Sequence, residues 1–393
     1  MEELKNSIKC HGCGAILEYK PGTTQLVCPY CGATQEIEID EEKVRKANEE
    51  IEINSGFSVA EKEIPEPKTF EYKCEGCGAI LEIKDDTIAT VCPYCQNPIV
   101  LPPEKTNRKI QPQGLIPFAV NKKQAKEIFV KWAQKRFWAP SKFKKYVRTP
   151  QKLKGTYVPL WTFDADTYTT YSGERGIDYT VEDTYTDSEG NEITTTRVET
   201  RWTPVSGSVS VSFDDVQIPA RRDIKMITSA PQWNTKELIH FEPKVISGFE
   251  CKAYTVPLPK AFDSAKKIME LDIVQAIRRD IGGDHQRIHN YDVTFSDVTY
   301  KHILVPLWHF SYQYKKKTYS VVINGQTGEL SGKYPISTWK IILAILLVLI
   351  ILAIIALGSN NWSFSGIFHN SGFYFEQSVQ YAFNNIADKA HWI

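Results

Sequence analysis

The chain lacks net charge. Its 393 residues carry 47 Lys and Arg against 47 Asp and Glu, a formal charge of zero. This excludes a uniformly basic or uniformly acidic binder, although charge of each sign is concentrated in separate segments. The signatures of common enzymes are also absent. No GxGxxG follows a strand, and there is no HExxH and no GxSxG. Gly328 to Lys333 (GELSGK) has the wrong spacing for a phosphate-binding loop and is followed by Tyr334 rather than Ser or Thr. His240, His302 and His309 are isolated. His285 and His289 are four apart, with Asp280 and Asp284 nearby, but Gly282-Gly283 breaks the helix that would align them, so they read as a surface loop. No nucleophile, base and orienting group come together, and the expectation is a protein that is not an enzyme. Nothing at the N-terminus resembles a signal peptide.

Of nine cysteines, eight form two copies of one pattern. Cys10, Cys13, Cys28 and Cys31 recur 64 positions later as Cys74, Cys77, Cys92 and Cys95, and the surrounding text repeats as CxGCGAILE…VCPYC. A CxxC–x14–CxxC spacing places four thiolates on two facing knuckles, the tetrahedral arrangement of a structural zinc ribbon. Two structural zinc ions are expected. Iron in a rubredoxin-like site uses similar spacing. A disulfide or thioredoxin-like reading fits less well, because each CxxC is separated from its partner by a short alternating segment with a turn, Pro21-Gly22 in the first copy, rather than by a βαβ unit. With four protein ligands each, the sites leave no open position for catalysis. So small a unit has little core of its own, and metal binding would supply its folding energy. Cys251, alone beside Lys252, reads as a small buried hydrophobe. Thiols kept free for metal indicate a reducing compartment.

From Ile341 to Leu357 the chain (IILAILLVLIILAIIAL) has no polar side chain. With Trp339 and Lys340 before it, this run reads as a single C-terminal transmembrane helix over 339–358. Lys315, Lys316, Lys317, Lys333 and Lys340 precede it and only Lys389 follows. The expectation is therefore a single-pass protein of a bacterial cell membrane, with cytoplasmic N-terminal domains and an extracytoplasmic aromatic tail over 359–393.

The remaining text divides as zinc ribbon 1 (1–39), an acidic linker (40–71), zinc ribbon 2 (72–103) and two α+β units (110–240 and 241–335). Between Glu36 and Glu71 there are twelve Asp or Glu and five Lys or Arg. Residues 121–154 reverse this, with twelve Lys or Arg and one acid, Glu127. Lys122, Lys123, Lys126, Lys135, Arg136, Lys142, Lys144 and Lys145 are the candidate lipid-binding residues there, weighed against a merely solvated face and against nucleic acid, over which a membrane-tethered chain favours lipid. VPLW at Val158–Trp161 returns at Val305–Trp308, each time leading into Thr- and Tyr-rich alternation, which suggests a duplicated helix-plus-antiparallel-sheet domain. Asp263 to Ile281 reads as a helix with a stripe of Ile268, Leu271, Val274, Ile277 and Ile281, closed by Gly282-Gly283. The fold class is thus α+β: two tandem four-cysteine ribbons, the duplicated domain and one transmembrane helix.

The CxxCG…VCPYC ribbon, GTYVPLWTFDADT, LVPLWHFSY, INGQTGELSG and the apolar run together resemble a bacterial family of membrane-anchored proteins with TFIIB-type zinc ribbons. Its members often carry helicase-like or primosomal protein N′-like names, which the missing nucleotide loop does not support. YdjG-like members belong to phage-shock-type operons. The resemblance implies a non-enzymatic, membrane-anchored adaptor or scaffold in a membrane-stress response, with PspA-like or flotillin-like protein partners and membrane lipid. The alternative is a membrane-tethered zinc-ribbon regulator that binds nucleic acid. Between Cys74 and Cys95 the only basic residue is Lys84, which weakens that alternative.

Overall fold

The computed structural model describes residues 8–60, 62–102, 106, 108–146, 153–186, 192–222, 232–314 and 317–358. In chain order the first elements are β1 (Glu18–Tyr19), β2 (Gln25–Val27), β3 (Thr34–Glu36), α1 (Glu41–Asn48), β4 (Ile51–Glu52) and α2 (Ile53–Val59). Then come β5 (Thr69–Lys73), β6 (Ile80–Lys84), β7 (Thr87–Val91), β8 (Pro98–Val100), β9 (Gly114–Leu115), α3 (Lys122–Lys135) and α4 (Ser141–Tyr146). The rest are β10 (Lys154–Thr186), β11 (Glu192–Pro219), β12 (Ile239–His240), β13 (Glu250–Lys252), α5 (Leu258–Ile281), β14 (His285–Tyr314), β15 (Lys317–Asn324), β16 (Leu330–Gly332) and α6 (Thr338–Gly358).

Three strands of unusual length organise the chain. Runs rich in Thr, Tyr and Val favour extended backbone, and here they persist for 33 residues in β10, 28 in β11 and 30 in β14. The spatial order is β11, β10, β14, β15, β16, all antiparallel. One level of this sheet is irregular on all three long strands. The pairing of β10 slips at Asp164 against β11 and at the next residue, Ala165, against β14, and Asp215 on β11 and Asp297 on β14 take positive φ of 50° and 49°. Such bulges bend strands and add twist.

The two VPLW segments meet in this sheet. Val158 lies opposite Val305, so the motifs run away from each other along neighbouring strands. Trp161 Nε1 donates to the Val256 carbonyl (3.0 Å) and Trp308 Nε1 to the Val120 carbonyl (2.8 Å). Each of those valines lies just before a helix, α5 and α3 respectively. Both tryptophans are buried and serve packing.

Helix α5 covers one face of β10 and β11. It begins at Leu258, earlier than the expected Asp263, and its buried stripe is Ala261, Ala265, Met269, Ile273, Ile277 and Ile281. Ile277 and Ile281 were expected there, but Ile268 and Leu271 are exposed (47% and 67%). The two alanines explain the different phase: their small side chains let the helix approach the sheet, and the bulkier residues turn outward. Helix α3 matches its sequence pattern. Asn121 and Gln124 form a reciprocal capping box, and Ala125, Phe129 and Ala133 are buried.

The expectation of a transmembrane helix is corrected. The apolar run forms α6. Among the described residues no helix is long and apolar enough to cross a membrane. The expected single-pass placement, with cytoplasmic ribbons and an outer tail, falls with it. The tail over 359–393 lies outside the described residues.

Candidate metal centres and the cleft between the ribbons

Each of the four knuckles closes through the same backbone turn. The N–H after the second cysteine donates to the carbonyl of the first: Gly14 to Cys10 (2.9 Å), Gly32 to Cys28 (3.0 Å), Gly78 to Cys74 (2.8 Å) and Gln96 to Cys92 (2.9 Å). This turn requires a left-handed residue, with φ of 72°, 73°, 74° and 62° in turn. Glycine takes that conformation without strain and glutamine does not. Replacing Gln96 by Gly should therefore stabilise the metal-loaded protein by about 1 kcal/mol, read from its denaturant midpoint at saturating zinc. A lower midpoint instead would mean that the glutamine side chain, which donates to the carbonyls of Cys92 and Pro93, offsets the strain.

The eight predicted ligands gather into two sets of four. The Sγ atoms of Cys10 and Cys31, and of Cys13 and Cys28, are 3.5 Å apart; those of Cys74 and Cys95 are 3.7 Å apart, and Cys77 and Cys92 3.9 Å. These separations are far beyond the ~2 Å of a disulfide. They approach the ~3.8 Å edge of a tetrahedron built with ~2.3 Å zinc–sulfur bonds. Their acidities support the same conclusion. Backbone N–H groups, that of Cys31 first, lower Cys28 to about 6 despite some desolvation. For Cys92, desolvation opposes the N–H groups of Cys95 and Tyr94, and the outcome is about 7. Cys13 and Cys95, by contrast, rise to about 12: a local backbone bond that lowers each is outweighed by neighbouring sulfurs and desolvation. In each set one thiolate forms readily, Cys28 or Cys92, while a neighbouring thiol, Cys13 or Cys95, resists ionisation. A divalent soft cation resolves that conflict, and the donor sets fit two structural zinc ions.

The ribbons are built into the body of the fold. β1, β2 and β3 form a small sheet whose Leu17, Tyr19 and Leu26 share a core with Phe118, Tyr157 and Phe249. Ser247 seals the join: its hydroxyl donates to the Leu17 carbonyl (2.6 Å) and its carbonyl accepts from the Tyr19 N–H (3.0 Å). Ribbon 2 is half in the main sheet. β5 pairs β6 alone, whereas β7 pairs β8 and also β13, with Ala89 opposite Cys251. Cys251 is fully buried, and burial pushes its thiol far above the ordinary range, as suits a small core residue.

Between the two ribbons lies a cleft of about 550 Å³. Lys9, the Cys13–Gly14–Ala15 knuckle and Tyr30 form one wall, and Glu75, Gly76 and Asn97 the other. Tyr30 is 67% exposed; its counterpart Tyr94 in the second VCPYC is 73% exposed.

The candidate lipid-binding residues lie on α3 and α4 and the turn between them. Lys122, Lys123, Lys135 and Lys142 are exposed, and Lys126 is half-buried. Arg136 and Lys144 are engaged within the chain. The Arg136 guanidinium lies over Trp132 (4.8 Å) and Tyr334 (5.3 Å), and Lys144 donates to the Gln134 carbonyl (2.8 Å). The side chain of Lys145 lies outside the described residues.

One group had no signal in the local sequence. Lys301, buried on β14, places its Nζ 3.2 Å from Asp215, 3.4 Å from Glu50 and 3.8 Å from Asp164. Burial, with Glu50 nearby, raises Asp164 to about 6 although the Asp215 N–H opposes this. Asp164, Asp214 and Asp215 lie close enough to suggest a metal group, but the ammonium already sits among these carboxylates and neutralises part of their charge.

Residues 7–37 match the family described as FORGETTER1 first zinc ribbon domain. The first ribbon is therefore similar in sequence to a zinc ribbon, and the second four-cysteine cluster repeats its spacing. Over 338 residues, covering 85% of this chain and 92% of the relative, the sequence is 26% identical to "Uncharacterized protein YdjG" of Bacillus subtilis (strain 168). No solved structure matches.

Proposed function

We propose that this zinc-ribbon protein is a non-enzymatic docking module whose inter-ribbon cleft receives a segment of a protein partner. The observation that carries this reading is the cleft itself, walled by two rigid knuckles and edged by an exposed tyrosine. Aromatic side chains with a polar tip are favoured at protein interfaces. Lys9 and Glu75 offer one charge of each sign across it, which suits a polypeptide better than a phosphate backbone. The partners implied by the family resemblance, PspA-like or flotillin-like proteins, are the ones to test.

Replacing Cys74 and Cys77 would be a poor test, because ribbon 2 shares strands with the main sheet. The single change Tyr30→Ala, at the edge of the cleft, leaves the metal ligands in place. It should reduce co-purification of PspA-like or flotillin-like proteins from nuclease-treated native extracts at least tenfold, with zinc content unchanged. Undiminished capture would sink the cleft reading. The competing reading, nucleic-acid binding by the ribbons, predicts instead a steep salt dependence of DNA affinity for the purified chain.

A further inference from the structure

β14 ends its pairing with β10 at Gly176–His285, but β10 and β11 run on together from Ile177–Arg201 to Thr186–Glu192. This leaves a two-stranded arm of ten residue pairs, about 33 Å long, with no third strand among the described residues. A free two-stranded ribbon is marginally stable at best in water.

The faces of the arm differ. One continues the face that α5 covers further down, where Val205, Val209 and Val211 pack against Ile273 and Ile277. The helix stops at Gly282, and beyond it this face presents Ile177, Tyr179, Val181 and Tyr185. Of these, Ile177 (46%), Tyr179 (37%) and Tyr185 (53%) are exposed. The opposite face is threonine-rich and carries Asp178, Glu182 and Glu192; Val198 is its exposed apolar residue. The apolar face also holds two arginines and two acids. Arg197 bridges Asp183 (2.9 Å) and Glu199 (3.0 Å), and the Arg201 guanidinium lies over Tyr179 (5.1 Å).

We propose that this face is a self-association surface, and that the arms of two copies of this chain pack face to face as a small β-sandwich. The occupant is a second copy because the charges are self-complementary. A two-fold axis sets the same patch against itself, and equal numbers of interleaved cations and anions satisfy that arrangement without a net-charged partner. The acidic, threonine-rich face has no such balance. Two strands ~33 Å long and ~10 Å wide together cover on the order of 300 Å² per copy in projection. That is roughly 600 Å² over both copies, below the ~1,200 Å² of a standard specific interface, so the dimer is weak and concentration-dependent.

Sedimentation velocity on the full-length chain tests this over a hundredfold concentration range. Wild type should move from monomer to dimer. The double variant Ile177→Lys and Tyr185→Lys should raise the dissociation constant at least tenfold. Thr180→Lys with Thr184→Lys, on the opposite face, should change it less than threefold. Circular dichroism and zinc content serve to check that each variant is folded. Three results would overturn the proposal: a wild type that stays monomeric, a dimer indifferent to the first pair of changes, or equal sensitivity to both pairs. The second would place the contact elsewhere, on the exposed α6 for example.

Discussion

Chelating the zinc should unfold far more than the ribbons. Leu17, Tyr19 and Leu26 lie in one core with Phe118, Tyr157 and Phe249, and β7 is hydrogen-bonded into the main sheet through β13. Structural zinc in small ribbons contributes roughly 10–16 kcal/mol of apparent binding energy at neutral pH. Its loss here should cost the whole domain at least ~5 kcal/mol. Thermal unfolding followed by tryptophan fluorescence checks this, because Trp161 and Trp308 report on the main sheet rather than on the knuckles. A metal-free protein whose tryptophan transition is unmoved would show that the ribbons fold independently. The dependence on pH has a definite sign. The loaded site binds fewer protons than the empty one, so affinity falls as pH falls. In the metal-free sites Cys28 near 6 and Cys92 near 7 ionise first, so release should steepen once pH drops through that range.

The second large effect is expected at Lys301. Exchanging it for Met keeps the stem and removes the ammonium. Asp164, Asp215 and Glu50 are then left without the charge that holds them together. Removing one partner of a buried ionic group typically costs about 3–5 kcal/mol. The loss should depend on pH. Asp164 titrates near 6 in the fold, above its ordinary value of 3.8, so ionising it opposes folding as pH rises between those values. Acidification protonates it and relieves the repulsion that Met leaves behind. The deficit measured by denaturation should be smaller at pH 5 than at pH 7.5. An equal deficit at both values would assign the effect to lost packing.

How far the sequence reveals this fold depends on how local each feature is. The metal ligands are legible because a CxxC knuckle is a short-range turn, and the spacing between knuckles is short. The long strands are legible from their alternation. The docking of the ribbons is not, because it rests on Ala89 meeting Cys251 and on Leu17 and Tyr19 meeting Ser247. Nothing near those residues in the chain signals their partners. The phase of α5 was misread because two alanines, rather than the largest apolar residues, decide which side faces the sheet. The ion cluster combines residues 50, 164, 215 and 301 from four separate segments. In the sequence, Asp164 and Asp215 look like ordinary turn or edge acids.

The shared irregularity at Asp164, Asp215 and Asp297 also has a mechanical meaning. It divides the sheet into a proximal part, braced by ribbons, α3 and β15, and a distal part that carries the arm. From Asp164 to Thr186 the strand measures roughly 70 Å. At the end of so long a lever, a rotation of ~10° at this fulcrum moves the tip by roughly 12 Å. Lys301 and its carboxylates sit at this level, and α5, packed on Phe163 and Ala165 at one end and on Tyr171 at the other, ties the two parts together against such a rotation.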